Sequence, residues 1–255
     1  MAARKNVVAR HRNEFLGYRL LNRDFDRRNL ESIISIIERC GTQMKTPRMM
    51  HLVCAVEEPD IFKTARFCQN FKRKFSSVIK ERNRERLKEG IRKKRAIPDY
   101  EMIFSLEAKM LHPEDPVPYV HIHLMLIVDT NHNEYGAREL AIAASRAMSQ
   151  ITGLESLYFK RKSAVFQNAA DTIKYGFLKL RNQRSSIKIG SFIDLKWHDL
   201  KQEKEDAICR ASYLAKLDQK DLLPTEFNRG NSFGHTRPKT KRNGKRNGKR
   251  NGNIL

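Results

Sequence analysis

One strand-like run that carries two histidines constrains the fold of this chain more than any other stretch. Segment 119–129 reads Tyr-Val-His-Ile-His-Leu-Met-Leu-Ile-Val-Asp and follows Pro118. β-favouring residue types dominate it, and proline before and aspartate at its end are typical strand boundaries. Because side chains alternate along a strand, His121 and His123 point to one face, whereas the aliphatic even-numbered residues point to the other. We therefore predict a strand with one apolar face and two imidazoles standing together on the opposite face.

The paired imidazoles predict a metal site. Two neutral imidazoles at this separation are good ligands for a first-row metal ion, because both lone pairs can reach the same ion. A single histidine is more often an ordinary structural residue, so the prediction depends on His121 and His123 acting together.

A carboxylate from the preceding strand is the expected third ligand. Segment 101–110 alternates apolar and polar residues, and segment 111–117 holds two prolines and two acids, which favours a turn between antiparallel strands. A turn centred near Glu114 would pair Glu107 with His121, whereas a slip of one residue would send Glu107 to the other face. Two imidazoles and one carboxylate leave open positions on Mg²⁺ or Mn²⁺ for phosphate oxygens.

The charge of the chain predicts a polyanionic partner. Lys and Arg number 51 against 29 Asp and Glu, which gives a formal net charge of +22. Such a field attracts nucleic acid or an anionic membrane. No apolar run approaches the ~18 residues of a membrane span, and no secretory leader is apparent. The four cysteines are scattered without a CxxC pair, which favours a reducing, cytoplasmic compartment.

The predicted elements follow one another in the order of a ferredoxin-like sandwich. This order predicts an α+β fold in which helices back an antiparallel sheet and leave the histidine face open, with room there for DNA. The elements are a strand at 49–56, a helix from about residue 61, strands at 101–110 and 119–129, a helix at 134–151 and a strand at 157–166.

Basic flanks surround this central part of the chain. We divide the sequence into a basic N-terminal arm and helix (1–47), a central domain (48–235) and a disordered tail (236–255). The helix of the first part is expected to end at Gly41. The tail carries eight positive and no acidic residues in Lys-Arg-Asn-Gly repeats, which cannot form a core but can bind phosphates. Candidate DNA-binding residues are Lys160, Arg161, Lys162, Arg210, Lys241, Arg242, Lys245 and Arg246.

Two tyrosines, each followed by a lysine, are candidates for chemistry. Tyr175 precedes Lys179, and Tyr213 precedes Lys216. In a helix over 203–217, Tyr213 would lie roughly 150° from the centre of the apolar stripe, beside Lys216 and facing away from the packed side. An ammonium beside a phenol can stabilise a phenolate or a phosphate. Most tyrosines are packing residues, and geometry alone does not choose between the two.

Taken together, the histidine strand and the later tyrosine motif resemble the HUH endonucleases, in which a hydrophobic residue separates two histidines and the nucleophile lies in a YxxK motif. Here the motifs are 121–123, His-Ile-His, and 213–216, Tyr-Leu-Ala-Lys. Segment 210–216, Arg-Ala-Ser-Tyr-Leu-Ala-Lys, together with 231–234, Asn-Ser-Phe-Gly, is similar to replication initiators of the filamentous-phage gene II type. The similarity covers about 49–234, and only the histidine strand and the Tyr213 segment are specific.

The resemblance implies a metal-dependent transesterification on single-stranded DNA. Mg²⁺ or Mn²⁺ would be held by His121, His123 and Glu107, and Tyr213 would attack phosphorus with help from Lys216. Tyr175 remains a less favoured partner or rival of Tyr213. The products would be a 5′-phosphotyrosine link and a 3′-hydroxyl that primes rolling-circle replication.

The resemblance also implies partners and a cellular setting. The DNA would be a single-stranded or hairpin origin in the cytoplasm of a bacterial host, with the protein encoded by a phage, plasmid or prophage. Helicase, polymerase and single-strand-binding protein would come from the host. A single-strand transposase or a mobilisation relaxase would use the same residues. From a different class, a non-catalytic basic nucleic-acid-binding protein would share the charge and lack the chemistry.

Overall fold

The chain folds as a mixed α+β protein with four α-helices and nine strands among the residues described. This computed structural model describes residues 6–9, 11–56, 64–91, 96–110, 118–130, 137–152, 198–218, 220–227 and 232–236. The strands are β1 Val7–Val8, β2 Glu14–Phe15, β3 Tyr18–Arg19, β4 Phe25–Asp26, β5 Pro47–Ala55, β6 Tyr100–Lys109, β7 Tyr119–Asp129, β8 His198–Asp199 and β9 Phe233–His235. The helices are α1 Arg27–Gln43, α2 Phe67–Lys88, α3 Ala137–Thr152 and α4 Lys204–Ser212.

An antiparallel sheet organises the molecule. Within the described part of the chain its strand order is β8-β5-β7-β6-β9, and β7 lies at the centre between the two other long strands. The strands predicted at 49–56, 101–110 and 119–129 correspond to β5, β6 and β7. The strand predicted at 157–166 lies outside the described residues, so the full ferredoxin-like order stays a prediction.

One face of this sheet is apolar and is covered by α2 and α3. The even-numbered residues of β7 lie on this face, and β5 and β6 add alternate residues such as Leu52 and Phe104. Phe67, Phe71 and Phe75 recur every four residues along α2, which places their rings on the sheet side of that helix. A 3₁₀ turn precedes α2, whose start at residue 67 is later than the expected start near 61.

The other face, which carries the histidines, is not open as we expected. Helices α1 and α4 cover part of it and pack on Met49, Ile103, Met125 and Ile127. The physical reason is that α1 has a fully apolar side that must be buried, and these sheet residues are its partners. The residues around the histidines are buried as well, so the described part of this face does not form the open surface that we predicted.

Helix α1 begins and ends at identifiable residues. The carboxylate of Asp26 accepts a hydrogen bond of 2.9 Å from the backbone N–H of Asn29, which is a typical N-cap. The expected end at Gly41 is wrong, because the helix continues to Gln43 and Gly41 does not take the left-handed conformation. Extended backbone at Met44 and the strand starting at Pro47 end it instead.

The N-terminal segment and the last strand complete the layers around the sheet. Residues 6–9 and 11–26, expected as a basic arm, contribute Val8, Leu20 and Phe25 to the core under α1 and α4. At the other edge, β9 pairs with β6, and Gly234 lies so close to Phe104 that a Cβ there would be 2.6 Å from its ring. None of the helices within the described ranges has the length and hydrophobicity needed to cross a membrane.

Candidate metal and tyrosine site

The register of β6 against β7 places the candidate metal ligands side by side. Glu107 is the direct cross-strand partner of His121, and Ser105 is the partner of His123. Paired residues of antiparallel strands share a face, so the carboxylate and both imidazoles project in the same direction. This is the register that the proline-containing connection favoured, and the one-residue slip does not occur.

The three side chains converge on one point. The Oε2 atom of Glu107 lies 3.4 Å from Nε2 of His121 and 3.2 Å from Nε2 of His123. One ligand atom from each residue lies within 4.8 Å of the others, and all three residues are buried. A fully buried carboxylate facing two imidazole nitrogens is a donor set that fits a divalent ion with sites left for further oxygens. The group could therefore hold a metal ion, and the residues alone do not select its identity.

The protonation states of these ligands suit a cation. Burial lowers the pKa of His121 below its ordinary value of 6.5, which keeps its imidazole neutral near pH 7. Burial alone would raise the pKa of the Glu107 carboxyl, but the neighbouring His123 and His121 rings outweigh it and hold that pKa well below its usual range. A neutral imidazole and an ionised carboxylate are the forms that bind metals.

A buried lysine connects this group to the candidate nucleophile. The Nζ atom of Lys216 lies 2.8 Å from Oε2 of Glu107 and donates a hydrogen bond of 2.5 Å to the phenol oxygen of Tyr213. Only 1% of the Lys216 surface is exposed. A bridge between Phe25 and Lys216 fixes its backbone against β4. The charge of a buried ammonium is thus compensated by the same carboxylate that faces the two histidines.

Tyr213 points toward the histidines and not away from the packed side, which corrects our expectation. Helix α4 ends at Ser212, and 213–215 form a 3₁₀ turn. The backbone of Tyr213 stays in the right-handed helical region, so the helical wheel misplaces its side chain by only about 20°. The expectation was wrong because the side of the chain that carries Tyr213 is also covered: the 213–215 turn contacts β6 as well as α1. The Tyr213 ring is half-buried and its centroid lies 4.9 Å from that of His123.

The environment of the phenol keeps it protonated. Burial, followed by the negative charge of Glu107, raises the pKa of Tyr213 above its ordinary value of 10.0. A neutral phenol is a weak nucleophile, so Tyr213 would need help to lose its proton if it acted as one. The ammonium of Lys216 at 2.5 Å is placed to stabilise the phenolate.

Sequence reasoning missed two residues of this cluster. The Nε2 atom of His51, on β5, lies 2.9 Å from Nδ1 of His123, and burial, then His123, lower the pKa of His51 well below 6.5. His51 is the one polar residue in the run 49–56, which is otherwise apolar, and that contrast was the available signal. Lys220 is half-buried nearby, and burial lowers its pKa although the charge of Glu107 opposes this.

Of the other predicted site residues, only Arg210 lies within the described ranges. Arg210 lies half-buried in the last turn of α4, and its charge adds to the lowering of the His51 pKa after burial and His123. Roles in DNA binding or catalysis stay predictions for the residues that lie outside the described ranges, which are Tyr175, Lys160, Arg161, Lys162, Lys241, Arg242, Lys245 and Arg246.

Comparisons with known proteins do not add to this picture. The chain matches no model of a known protein family. No curated protein and no solved structure matches it either. The site is therefore interpreted from its own geometry and from the resemblance of its two motifs.

Proposed function

We propose that this protein is a metal-dependent endonuclease of the HUH type that nicks and rejoins single-stranded DNA, and that it starts rolling-circle replication. The observation that carries the proposal is the position of Lys216, whose ammonium contacts both the phenol of Tyr213 and the carboxylate of Glu107. A nucleophile and a candidate metal ligand are thereby joined through one side chain. A tyrosine that only packs also needs a hydrogen-bond partner when buried, but that partner need not contact a candidate metal ligand.

The proposed reaction exchanges one phosphoester bond for another. The phenol oxygen of Tyr213 forms a bond to phosphorus as the bond from phosphorus to the 3′ oxygen of the preceding nucleotide breaks. The phenol proton passes to solvent and the leaving 3′ oxygen takes one up, so charge and atoms balance. The products are a 5′-phosphotyrosyl DNA and a free 3′-hydroxyl, and reversal by another 3′-hydroxyl rejoins the strand without ATP.

The residues around Tyr213 would have separate tasks. Glu107, His121 and His123 would hold a divalent ion, which supplies Lewis-acid polarisation of the scissile phosphate. Lys216 stabilises the phenolate as the proton leaves, because its ammonium already donates to that oxygen. The burial of Glu107 and His123 excludes water, which otherwise competes with Tyr213 for phosphorus.

The covered half of the histidine face favours a single strand as the substrate. Helices α1 and α4 block an approach over Met125 and Ile127, so DNA would approach from the side of the half-buried Tyr213. One flexible strand can bend into a partly covered cleft more easily than a duplex. The net charge of +22 would supply affinity that is independent of sequence and weakened by salt.

A covalent-trapping experiment tests the proposal. A library of random single-stranded oligonucleotides, labelled at the 3′ end, is incubated with the protein and Mn²⁺ and resolved in SDS. We expect an SDS-resistant adduct that carries the 3′ label, because the 5′ phosphate of the downstream piece stays on tyrosine. The same library labelled at the 5′ end should release free fragments, and EDTA should prevent both products.

The outcome separates the classes of function. A non-catalytic binding protein would shift the library in a native gel and give no adduct in SDS. An adduct that carries the 5′ label would contradict the proposed polarity. A single-strand transposase or a relaxase would also form an adduct, so sequencing of the trapped ends, followed by a replication assay on a plasmid with that site, distinguishes an initiator from them.

A further inference from the structure

We propose that His51 is a positioning residue that orients His123 as a metal ligand. The inference deepens the proposed function, because it assumes that His123 binds a divalent ion. His51 lies on β5, outside the strands that carry the predicted ligands. Its Nε2 atom lies 2.9 Å from Nδ1 of His123, and only 8% of its surface is exposed.

The contact lies behind the ligand ring and not at the metal side. The two nitrogens of His123 have different neighbours, with Nε2 at 3.2 Å from Glu107 and Nδ1 at 2.9 Å from His51. Nε2 of His123 is therefore the nitrogen that faces the carboxylate of Glu107. The Nε2 atom of His51 is occupied by the contact with His123, so this atom of His51 does not join the ligand set.

The contact with His51 would determine which ring nitrogen of His123 carries the hydrogen. An imidazole that offers the Nε2 lone pair to a cation must carry its hydrogen on Nδ1, and this hydrogen needs an acceptor. Nε2 of His51 is that acceptor when the hydrogen of His51 is on Nδ1. The pair of rings would then fix both the tautomer and the ring angle of His123.

The sheet register explains why a residue of β5 can do this. The direct partner of His123 on β5 is Val53, whereas His51 pairs with Met125. All four residues share the histidine face, and His51 reaches His123 along the diagonal between neighbouring pairs. The centroids of the two rings lie 5.2 Å apart.

Two substitutions of His51 separate positioning from packing. His51→Leu keeps an apolar volume and removes the acceptor, whereas His51→Gln can place an amide oxygen where Nε2 was. Calorimetric titration with Mn²⁺ alone, without DNA, should show affinity about 10–100-fold weaker for His51→Leu, a loss typical for partners of metal-ligating histidines. We expect His51→Gln to bind within about threefold of the unsubstituted protein, since the acceptor is restored.

A matched control and a spectroscopic measurement complete the test. His235→Leu removes another half-buried histidine of the same sheet, which pairs with Ile103 on the far side of β6, and it should leave Mn²⁺ affinity unchanged. In the Mg²⁺-loaded protein, nitrogen-15 correlation spectra should place the hydrogen of His51 on Nδ1. Equal Mn²⁺ affinity of His51→Leu and the unsubstituted protein, or a hydrogen on Nε2 of His51, would overturn the inference.

The inference and the proposed function can fail separately. If the unsubstituted protein binds Mn²⁺, His51→Leu weakens the binding and no DNA adduct forms, the positioning role stands and the nuclease proposal fails. If the adduct forms and His51→Leu binds Mn²⁺ normally, the nuclease proposal stands and the positioning role is refuted. A protein that binds no Mn²⁺ refutes both.

Discussion

The two faces of the sheet differ in what they bury, although the same long strands, β5, β6 and β7, build both. Beneath α2 and α3 the buried side chains of β7 are all aliphatic, from Val120 to Val128. On the opposite face the described side chains of β7 include the apolar Met125 and Ile127, and the neighbouring positions hold His121 and His123. One face therefore buries only apolar side chains of β7, and the other combines apolar packing with a buried group of polar and charged side chains.

The polar and charged side chains buried on the histidine face cost stability that a fully apolar face would keep. Hydrocarbon at positions 107, 121, 123 and 216 would remove the cost of burying two charges and the imidazoles, a cost that is several kcal/mol for each ion. Residues that break the packing rule in one localised group are expected at functional sites. The comparison between faces predicts that substitutions on one face change chemistry and substitutions on the other change stability.

The largest expected effect is the loss of the nucleophile. Tyr213→Phe removes only the phenol oxygen, so we expect adduct formation to fall by on the order of 10⁴-fold or more, with metal and DNA binding retained. Tyr175→Phe is the matched control and should keep most of the activity. The measurement is the yield of SDS-resistant adduct with Mn²⁺. The reverse pattern would transfer the nucleophile role to Tyr175.

A buried charge pair gives the next largest effect. Lys216→Met keeps the side-chain length but leaves the ionised Glu107 without its cation, which should lower the free energy of unfolding by about 3–5 kcal/mol in the metal-free protein. The double variant with Glu107→Gln should regain most of that loss, because no charge is then left buried alone. Urea denaturation of the four proteins of this cycle measures the coupling. Additive losses would show that the two side chains do not stabilise each other.

Leu124 follows His123 in β7 and lies on the apolar face, so its substitution should change stability and not metal binding. Leu124→Ala opens a cavity under α2 and α3 and should reduce the free energy of unfolding by about 2–5 kcal/mol. The folded fraction of this variant should still bind Mn²⁺ as the unsubstituted protein does, because Leu124 points away from the histidines. Weakened Mn²⁺ binding in folded Leu124→Ala protein would mean that the faces are not independent.

His121→Ala should weaken Mn²⁺ binding, whereas Leu124→Ala should lower the free energy of unfolding. Removal of one of three ligands should weaken Mn²⁺ binding by about 100-fold, or about 2.7 kcal/mol, and should abolish cleavage. Salt-sensitive DNA binding should persist, because it depends on the many basic residues and not on His121. Calorimetry and DNA titration at two salt concentrations check both parts. Cleavage by His121→Ala in the presence of Mn²⁺ would remove His121 from the proposed mechanism.

The smallest effect is a dependence of stability on pH to which His51 and His121 on the histidine face contribute. Burial lowers the pKa values of His51 and His121 below 6.5, so the folded state binds fewer protons than the unfolded chain in the range just below that pH. Stability is therefore retained above about pH 6.5 and lost as pH falls, by up to about 1.4 kcal/mol per pH unit for each residue. Urea denaturation of metal-free protein between pH 8 and 5.5 measures the slope. His121→Gln should show a smaller slope, and an unchanged slope would contradict the assignment.

Local patterns in the sequence were enough to predict the histidine face of β7 and its pairing with β6. Alternation fixed which residues share a face, and a proline-containing connection of limited length favoured the pairing of Glu107 with His121. The partial cover by α1 and α4 was also readable, since Met125 and Ile127 continue the histidine face as apolar residues. The expectation of an open face took account of His121 and His123 but not of Met125 and Ile127. Helices that cover these two apolar side chains were therefore not expected.

The direction of Tyr213 and the role of His51 depend on contacts between distant segments. A helical wheel shows which side of a helix is apolar but not which strand covers the other side, here the contact of the 213–215 turn with β6 and the bridge between Phe25 and Lys216. The contact of His51 with His123 requires β5 to lie beside β7, and a single histidine in a strand carries no sign of its neighbour. Tertiary contacts of this kind override local preference.

The most direct test of the account is to locate a metal ion in a crystal of the protein grown with Mn²⁺. The account predicts an anomalous-scattering peak about 2.0–2.3 Å from Oε of Glu107 and from Nε2 of both His121 and His123, on the side that the phenol of Tyr213 faces. A peak elsewhere, or saturating Mn²⁺ with no peak between these three residues, would contradict it.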